Sequence, residues 1–282
     1  MATVDLPSGT LHYQQSGSGP PIVFLHGYLM GANLWGPVVQ LLAGEFRCIG
    51  PELPFGAHLT PMRPGADLTT AGLGGLVADF LAALDLHQVI LVGNDSGGAI
   101  AQVVAARHPQ RLGGLVLASC DAFDNYPPRL FRPLIAAARV GALTPLLASL
   151  KFKSVRSLPS AYGWLTHRQL PHPLIDGWIA NYLADRGVRR DTRRLTAALD
   201  DDAFMGQIAA ELVGFTQPAL LAWAADDKFF PLEHARRLAA ILPDARLELI
   251  DDSRTWVMRD QPQRTAHLIG RFARRAVTTQ TT

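Results

Sequence analysis

Short apolar runs separated by helix-length amphipathic stretches constrain this chain more than any other feature. "PIVFLHG" (21–27), "FRCIG" (46–50), "QVILVG" (88–93), "LGGLVLA" (112–118), "ALLAWA" (219–224) and "RLELI" (246–250) each read as a buried strand bounded by turn residues. Stretches such as "LGGLVADFLAALDL" (73–86) and "LEHARRLAAIL" (232–242) supply helices between them. Parallel neighbours need a long crossover, which is usually helical. The alternation therefore predicts an α/β chain: a mainly parallel sheet with helices on both faces. The opening "TLHYQQSGSG" adds one more strand, expected antiparallel at the sheet edge.

The alternation breaks between about Asp121 and Thr216. Prolines and aromatics crowd that region, among them Pro127, Pro128, Pro133, Pro171 and Pro173, and no strand pattern survives. It reads as a helical insertion, dividing the chain into core (1–121), lid (122–213) and core (214–282). Basic and acidic residues nearly balance, 26 against 24, and are spread along the chain, which argues against a nucleic-acid partner. Arg189, Arg190, Arg193 and Arg194 read as a solvated helix face. Cys48 and Cys120 end apolar runs and read as buried thiols, with no metal-binding spacing near either. The N-terminus lacks the pattern of a secretory signal, and no apolar stretch is long enough to span a bilayer. The expectation is a cytoplasmic protein with a small-molecule substrate, no cofactor and no membrane partner. A second copy of the chain is the one macromolecular partner left open.

"LVGNDSGGAI" (91–100) decides the chemistry. A strand ends at Gly93 and a helix begins near Gly97, so a reactive residue at the tip of the turn stands beyond the sheet's carboxyl end. The positions two before and two after that tip must be nearly free of side chains, because they pack across the turn. For Asp95 those positions are Gly93 and Gly97. For Ser96 they are Asn94 and Gly98, and the first is too large. Asp95 takes the tip. A plain strand–helix connection or a phosphate loop is the structural alternative, although the G-x-G-x-x-G spacing is absent.

From about Thr10 to Arg274 the chain resembles the α/β-hydrolase fold. "FLHGYLMGANLWGPVVQLL" is similar to that family's His-Gly oxyanion segment, "PELPFGAH" to its loop after the next strand, and "GNDSGG" to its nucleophile elbow. An aspartate at the elbow resembles the haloalkane dehalogenase and epoxide hydrolase branches. There a carboxylate attacks an sp3 carbon and water cleaves the alkyl ester. The resemblance implies oxyanion donors at the backbone N–H groups of Tyr28 and Ser96. It also departs from both branches. Ser96 and Tyr28 stand where dehalogenases place a halide-holding tryptophan and asparagine, and His26-Gly27-Tyr28-Leu29 lacks the proline of epoxide hydrolases, although the lid tyrosines that protonate an opening epoxide in that branch have counterparts at Tyr126, Tyr162 and Tyr182.

The same resemblance places the triad acid in "LLAWAADDKFFP", at Asp227, with Asp226 the weaker candidate and Asp121 or Asp124 the position used by some relatives. The histidine position in "LELIDDSRTWVMRDQP" falls on Thr255, before Trp256. Threonine has no basic nitrogen. His26 belongs to the oxyanion segment, His87 and His108 fall at the far end of the sheet, and His234 and His267 read as solvent-facing on outer helices. His58, His167 and His172 remain as substitutes. Without one, Asp95 and Asp227 facing each other across a water at Thr255 would form an acid–base pair suited to elimination, isomerisation, ring opening or cyclisation. A degenerate hydrolase that only binds ligand is the rival reading. Tyr126, Trp164, Trp178 and Tyr182 of the lid, with His26 and Trp256, are expected to face the substrate, the bland alternative being lid core.

Overall fold

The computed structural model describes residues 1–199 and 203–279. Its strands are β1 (Ala2–Leu6), β2 (Gly9–Ser16), β3 (Pro21–Leu25), β4 (Arg47–Pro51), β5 (Val89–Asp95), β6 (Leu112–Cys120), β7 (Ala219–Ala224) and β8 (Ala245–Ile250). They form one sheet in the order β1-β2-β4-β3-β5-β6-β7-β8, parallel from β4 onward and antiparallel through β1 and β2. Every residue of β5, β6 and β7 is buried, as expected of strands covered on both faces. At the far edge β8 keeps only Ile250 fully inside.

The first edge differs from expectation. β2 is not the edge strand: β1 lies outside it, with Ala2 opposite Tyr13 and Leu6 opposite Gly9. The physical reason is the turn at Pro7-Ser8-Gly9, where Gly9 adopts φ +140°, a value open to glycine. It folds "ATVDL" back as a hairpin on "TLHYQQS".

Between β6 and β7 the described residues contain helices and no strand. Two of these helices, His172–Ala184 and Arg186–Ala197, connect the insertion to the core. The arginine cluster makes that connection and is not simply a solvated face. Arg190 donates to the Met62 carbonyl and Arg194 to those of Pro64 and Ala66, while Asp191 accepts from Met62 N–H at 2.6 Å. The 62–66 loop has no sheet neighbour to satisfy its backbone, and guanidinium forks do so instead. Arg189 donates within the insertion, to the Tyr182 and Leu183 carbonyls, and Arg193 is exposed. Both cysteines are buried free thiols. Among the described residues no helix is long and apolar enough to cross a membrane.

Candidate active site

Asp95 ends β5 and caps the helix Ser96–Arg107 with φ 57° and ψ −134°. That backbone is strained for any residue with a side chain, and it persists because its surroundings fix it. The fixing groups are the expected glycines. A Cβ on Gly97 would lie 2.5 Å from the His26 carbonyl oxygen, and one on Gly93 would lie 2.5 Å from that of Gly97. The end of β3 therefore presses directly on the helix N-terminus. Gly27, on the same segment, is just as confined by Asp95 itself, whose Oδ1 would stand 2.3 Å from its Cβ.

The Asp95 side chain is held by one oxygen. Oδ1 accepts Ser96 N–H at 2.6 Å, the Ser96 hydroxyl at 3.1 Å and Tyr28 N–H at 3.4 Å. Among the described residues Oδ2 accepts nothing. Burial raises the carboxyl above its ordinary range, and the bonds from Ser96 and Tyr28 work against that rise. Ser96 thus sits beside the carboxylate as a donor, its hydroxyl shared between Oδ1 of Asp95 and the Asp121 carboxyl.

Asp95 opens into a cavity of about 480 Å³ lined by Tyr28, Leu29, Met30 and the insertion. The insertion contributes mostly hydrocarbon, including Leu130, Phe131, Leu134, Leu147 and Leu150. Of the aromatic side chains singled out from sequence, all but Tyr162 lie off this wall. Trp178 donates Nε1–H to Asn33 Oδ1 and packs edge-on to Trp256. Tyr182 reaches Thr144, Tyr126 pairs with the Thr70 hydroxyl, and Trp164 is 41% exposed against Phe229. The tyrosine that does line the cavity is Tyr162, donating its hydroxyl to the Leu29 carbonyl at 3.0 Å. Tyr28 also lines it; its hydroxyl donates to Thr196, whose own proton goes to the Thr192 carbonyl. The leucines of "RLFRPLI" and "TPLLASL" carried a signal, since apolar residues at helical spacing in an insertion must face something.

Behind the elbow, Asn94 spends its amide on the carbonyls of Ala118, Ser119 and Thr255, tying β5, β6 and the 255 loop together. Thr255 is fully buried and donates Oγ1–H to Asp227 Oδ1 at 3.1 Å. The same oxygen accepts Phe229 and Phe230 N–H, whereas Oδ2 of Asp227 is buried without a partner. Burial raises the Asp227 carboxyl against the two backbone bonds. Asp227 makes no hydrogen bond to Asp95. The carboxyl on which the Asp95 charge bears is Asp121, the first residue past β6, which is 1% exposed with an unpartnered Oδ1. Burial pushes it well up, and the nearby Asp95 charge pushes it further.

Among the described residues no histidine hydrogen-bonds to either Asp95 or Asp227. His58 sits 3.6 Å from Asp191, His167 lies 3.4 Å from Asp226, and His172 lines a separate polar pocket. His234 is not solvent-facing as expected, but 9% exposed with its ring edge-on to Phe123. His26 is buried and its tautomer is fixed. Nδ1–H donates to the Gly27 carbonyl and Nε2 accepts Leu53 N–H, and burial lowers its pKa to about 4. It braces the segment that carries Tyr28 N–H.

Comparison with known proteins agrees with this architecture. Haloalkane dehalogenase 2 of Mycobacterium tuberculosis is 27% identical over 280 residues, covering 95% of this chain and 93% of its own. The 2-hydroxy-6-oxo-6-phenylhexa-2,4-dienoate hydrolase of Burkholderia cepacia is 26% identical over 267 residues, covering 87% of this chain and 85% of its own. The crystal structure of haloalkane dehalogenase DbeA from Bradyrhizobium elkani superposes with a TM-score of 0.79 at 20% identity, covering 98% of this chain and 97% of that one, which speaks to the fold alone. The model of the alpha/beta hydrolase fold family matches residues 20–262, from the start of β3 past the Thr255 loop. With its elbow, the parallel strands β3 to β8 and its helical insertion all inside that span, the chain belongs to the α/β-hydrolase fold family.

Proposed function

We propose that Asp95 is a carboxylate nucleophile acting on an electrophilic sp3 carbon, of the C–halogen or epoxide type, in an uncharged apolar substrate. One observation carries this reading. The backbone donors that would hold a substrate's carbonyl oxygen in an esterase are already occupied by Oδ1 of Asp95. Acyl chemistry would have to evict that oxygen, whereas displacement at an sp3 carbon uses the arrangement as it stands. Oδ2 forms the new C–O bond, and halide or the epoxide oxygen departs with the bonding pair. Water then adds to Cγ of the alkyl ester. The negative charge that develops on Oδ1 rests on Ser96 and Tyr28 N–H. The alcohol leaves with one of the water's protons as Asp95 is restored, the second proton passing to solvent or to the alkoxide of an opened epoxide.

A step without a histidine to take the water's proton is slow. The ester should therefore accumulate and be visible. Incubation with a long-chain bromoalkane or alkyl epoxide, followed by intact-protein mass spectrometry, should show an adduct that Asp95→Asn lacks. Turnover of either probe with no adduct at any time would reject the nucleophile role. Ligand binding without turnover or adduct would favour the degenerate, binding-only reading.

A second reading has its own support in Asp121. A buried carboxyl beside Asp95 suits proton transfer on an unlinked substrate, with Asp121 in the partner role expected of Asp227. It predicts turnover without an adduct and loss of turnover in Asp121→Asn.

A further inference from the structure

We propose that the surface of the insertion around the cavity mouth docks on an anionic lipid surface. The charge pattern is the first observation. From Asn125 through Ile175 the sequence contains no Asp or Glu, in a chain that carries 24 of them, yet it holds seven Arg and Lys, six of them exposed and the seventh, Arg156, buried and paired with Asp176. Overall neutrality hides this local excess.

Exposed hydrocarbon is the second. Leu130, Leu146 and Leu158 are 41%, 44% and 48% exposed and also line the cavity beside Asp95, so the cavity opens through them. Phe152, 56% exposed, stands between the wall residues Leu150 and Val155. Cations flank these apolar tips. Exposed Arg129 precedes Leu130, and exposed Lys151 and Lys153 bracket Phe152, with Lys151 Nζ 5.0 Å from the phenyl centroid. Apolar side chains ringed by cations match a bilayer interface, where the tips enter the acyl boundary and the charges meet headgroups.

The alternatives fit less well. Two copies meeting through this face would oppose cation to cation, because a two-fold contact places the same patch on both sides. An acidic protein would satisfy the charges but close the mouth. A lipid surface satisfies both charge and hydrocarbon, and it is also the phase from which an apolar substrate partitions. The contact is peripheral, since no described helix is long and apolar enough to cross a membrane.

Co-sedimentation of the full chain with phosphatidylcholine vesicles, with and without phosphatidylglycerol, tests the docking without requiring turnover. Binding should be stronger to the anionic vesicles by on the order of tenfold or more, and lost at high salt. The double variant Lys151→Glu, Lys153→Glu and the single variant Phe152→Ser should each weaken binding while leaving the thermal melt unchanged. Asp95→Asn should bind like the native chain, so failure of the proposed reaction and failure of docking are read separately. Absence of vesicle binding at low salt overturns the proposal, as does equal binding by the double variant. Sedimentation velocity showing a dimer that the double variant abolishes would assign the face to a second copy. Equally tight binding of polyglutamate would assign it to an acidic protein.

Discussion

A Cβ on Gly27 and Oδ1 of Asp95 would be 2.3 Å apart, so the His26-Gly27-Tyr28 segment can carry no side chain at that position. The nearest atoms, Oδ1, Cβ and Cγ, all belong to Asp95. Gly27→Ala should therefore expel the carboxylate from between Ser96 and Tyr28 N–H. Loss of such positioning typically costs about a hundredfold or more in rate. The variant should also melt lower. In an Asp95→Gly background the same substitution should leave the melt unchanged. A Gly27→Ala penalty that survives removal of Asp95 would place the clash elsewhere.

Asp95→Asn tests the cost of burying that charge. The folded-state pKa of Asp95 is raised by burial, so its proton is held more tightly in the folded chain. Its contribution to stability is present below the unfolded pKa and lost as pH rises through the folded one. At pH above that folded-state pKa the native chain buries an ionised group that the amide variant lacks. Asp95→Asn should melt higher there, each kcal/mol recovered being worth about 2–4 °C in a large domain. The gain should shrink toward acidic pH while turnover is abolished throughout. A melt that does not change with pH relative to native would mean Asp95 is not the group being strained.

Ser96→Ala separates donor from nucleophile. The hydroxyl donates to Oδ1 and helps hold the Asp95 pKa down, so its removal should shift the acidic limb of activity to higher pH. On the plateau, the loss of one hydrogen bond to a charged group predicts a rate reduced on the order of tenfold. Fluorophosphonate and sulfonyl fluoride probes should not label the chain. Labelling at Ser96, together with total loss in the alanine variant, would reverse the assignment.

The legible and illegible parts of the sequence divide along a physical line. Strands β5, β6 and β7 announced themselves because burial on both faces demands unbroken apolar runs. The elbow was legible because steric exclusion acts on neighbours in the chain, leaving Gly93 and Gly97 as its trace. β1 was missed because an edge strand with one buried residue, Leu6, carries almost no periodic signal. Asp121 was seen only as a position. Its closeness to Asp95 depends on the pairing of Asp95 with Cys120 across two parallel strands, which no local pattern encodes. The cavity wall was hidden for a related reason. Leucines of the insertion look alike whether they face the core or a ligand, and only the packing of helix against helix decides.

Thr255→His tests the missing base. Thr255 donates to Oδ1 of Asp227 and leaves Oδ2 of that carboxylate buried and unpartnered, an orphan that an imidazole N–H could satisfy. The other ring nitrogen would then be offered toward the elbow, which Asn94 already ties to the Thr255 carbonyl. If Asp95 forms an alkyl ester, its decay should quicken by the roughly 10²–10⁴-fold typical of general-base catalysis. The adduct seen with the native chain should become short-lived, and adding Asp227→Asn should cancel most of the gain. If Asp95 instead works with Asp121 on an unlinked substrate, the histidine offers nothing and turnover should fall or stay level, with no adduct in either protein. Because Thr255 is fully buried, overpacking can itself cost about 1–3 kcal/mol, so the melt is measured alongside. Adduct decay in a single turnover is scored per folded molecule, which keeps a lower melt from imitating a slower reaction. A folded variant whose preformed adduct decays at the native rate would mean that position 255 does not address the ester, and that the water is activated from the Asp121 side.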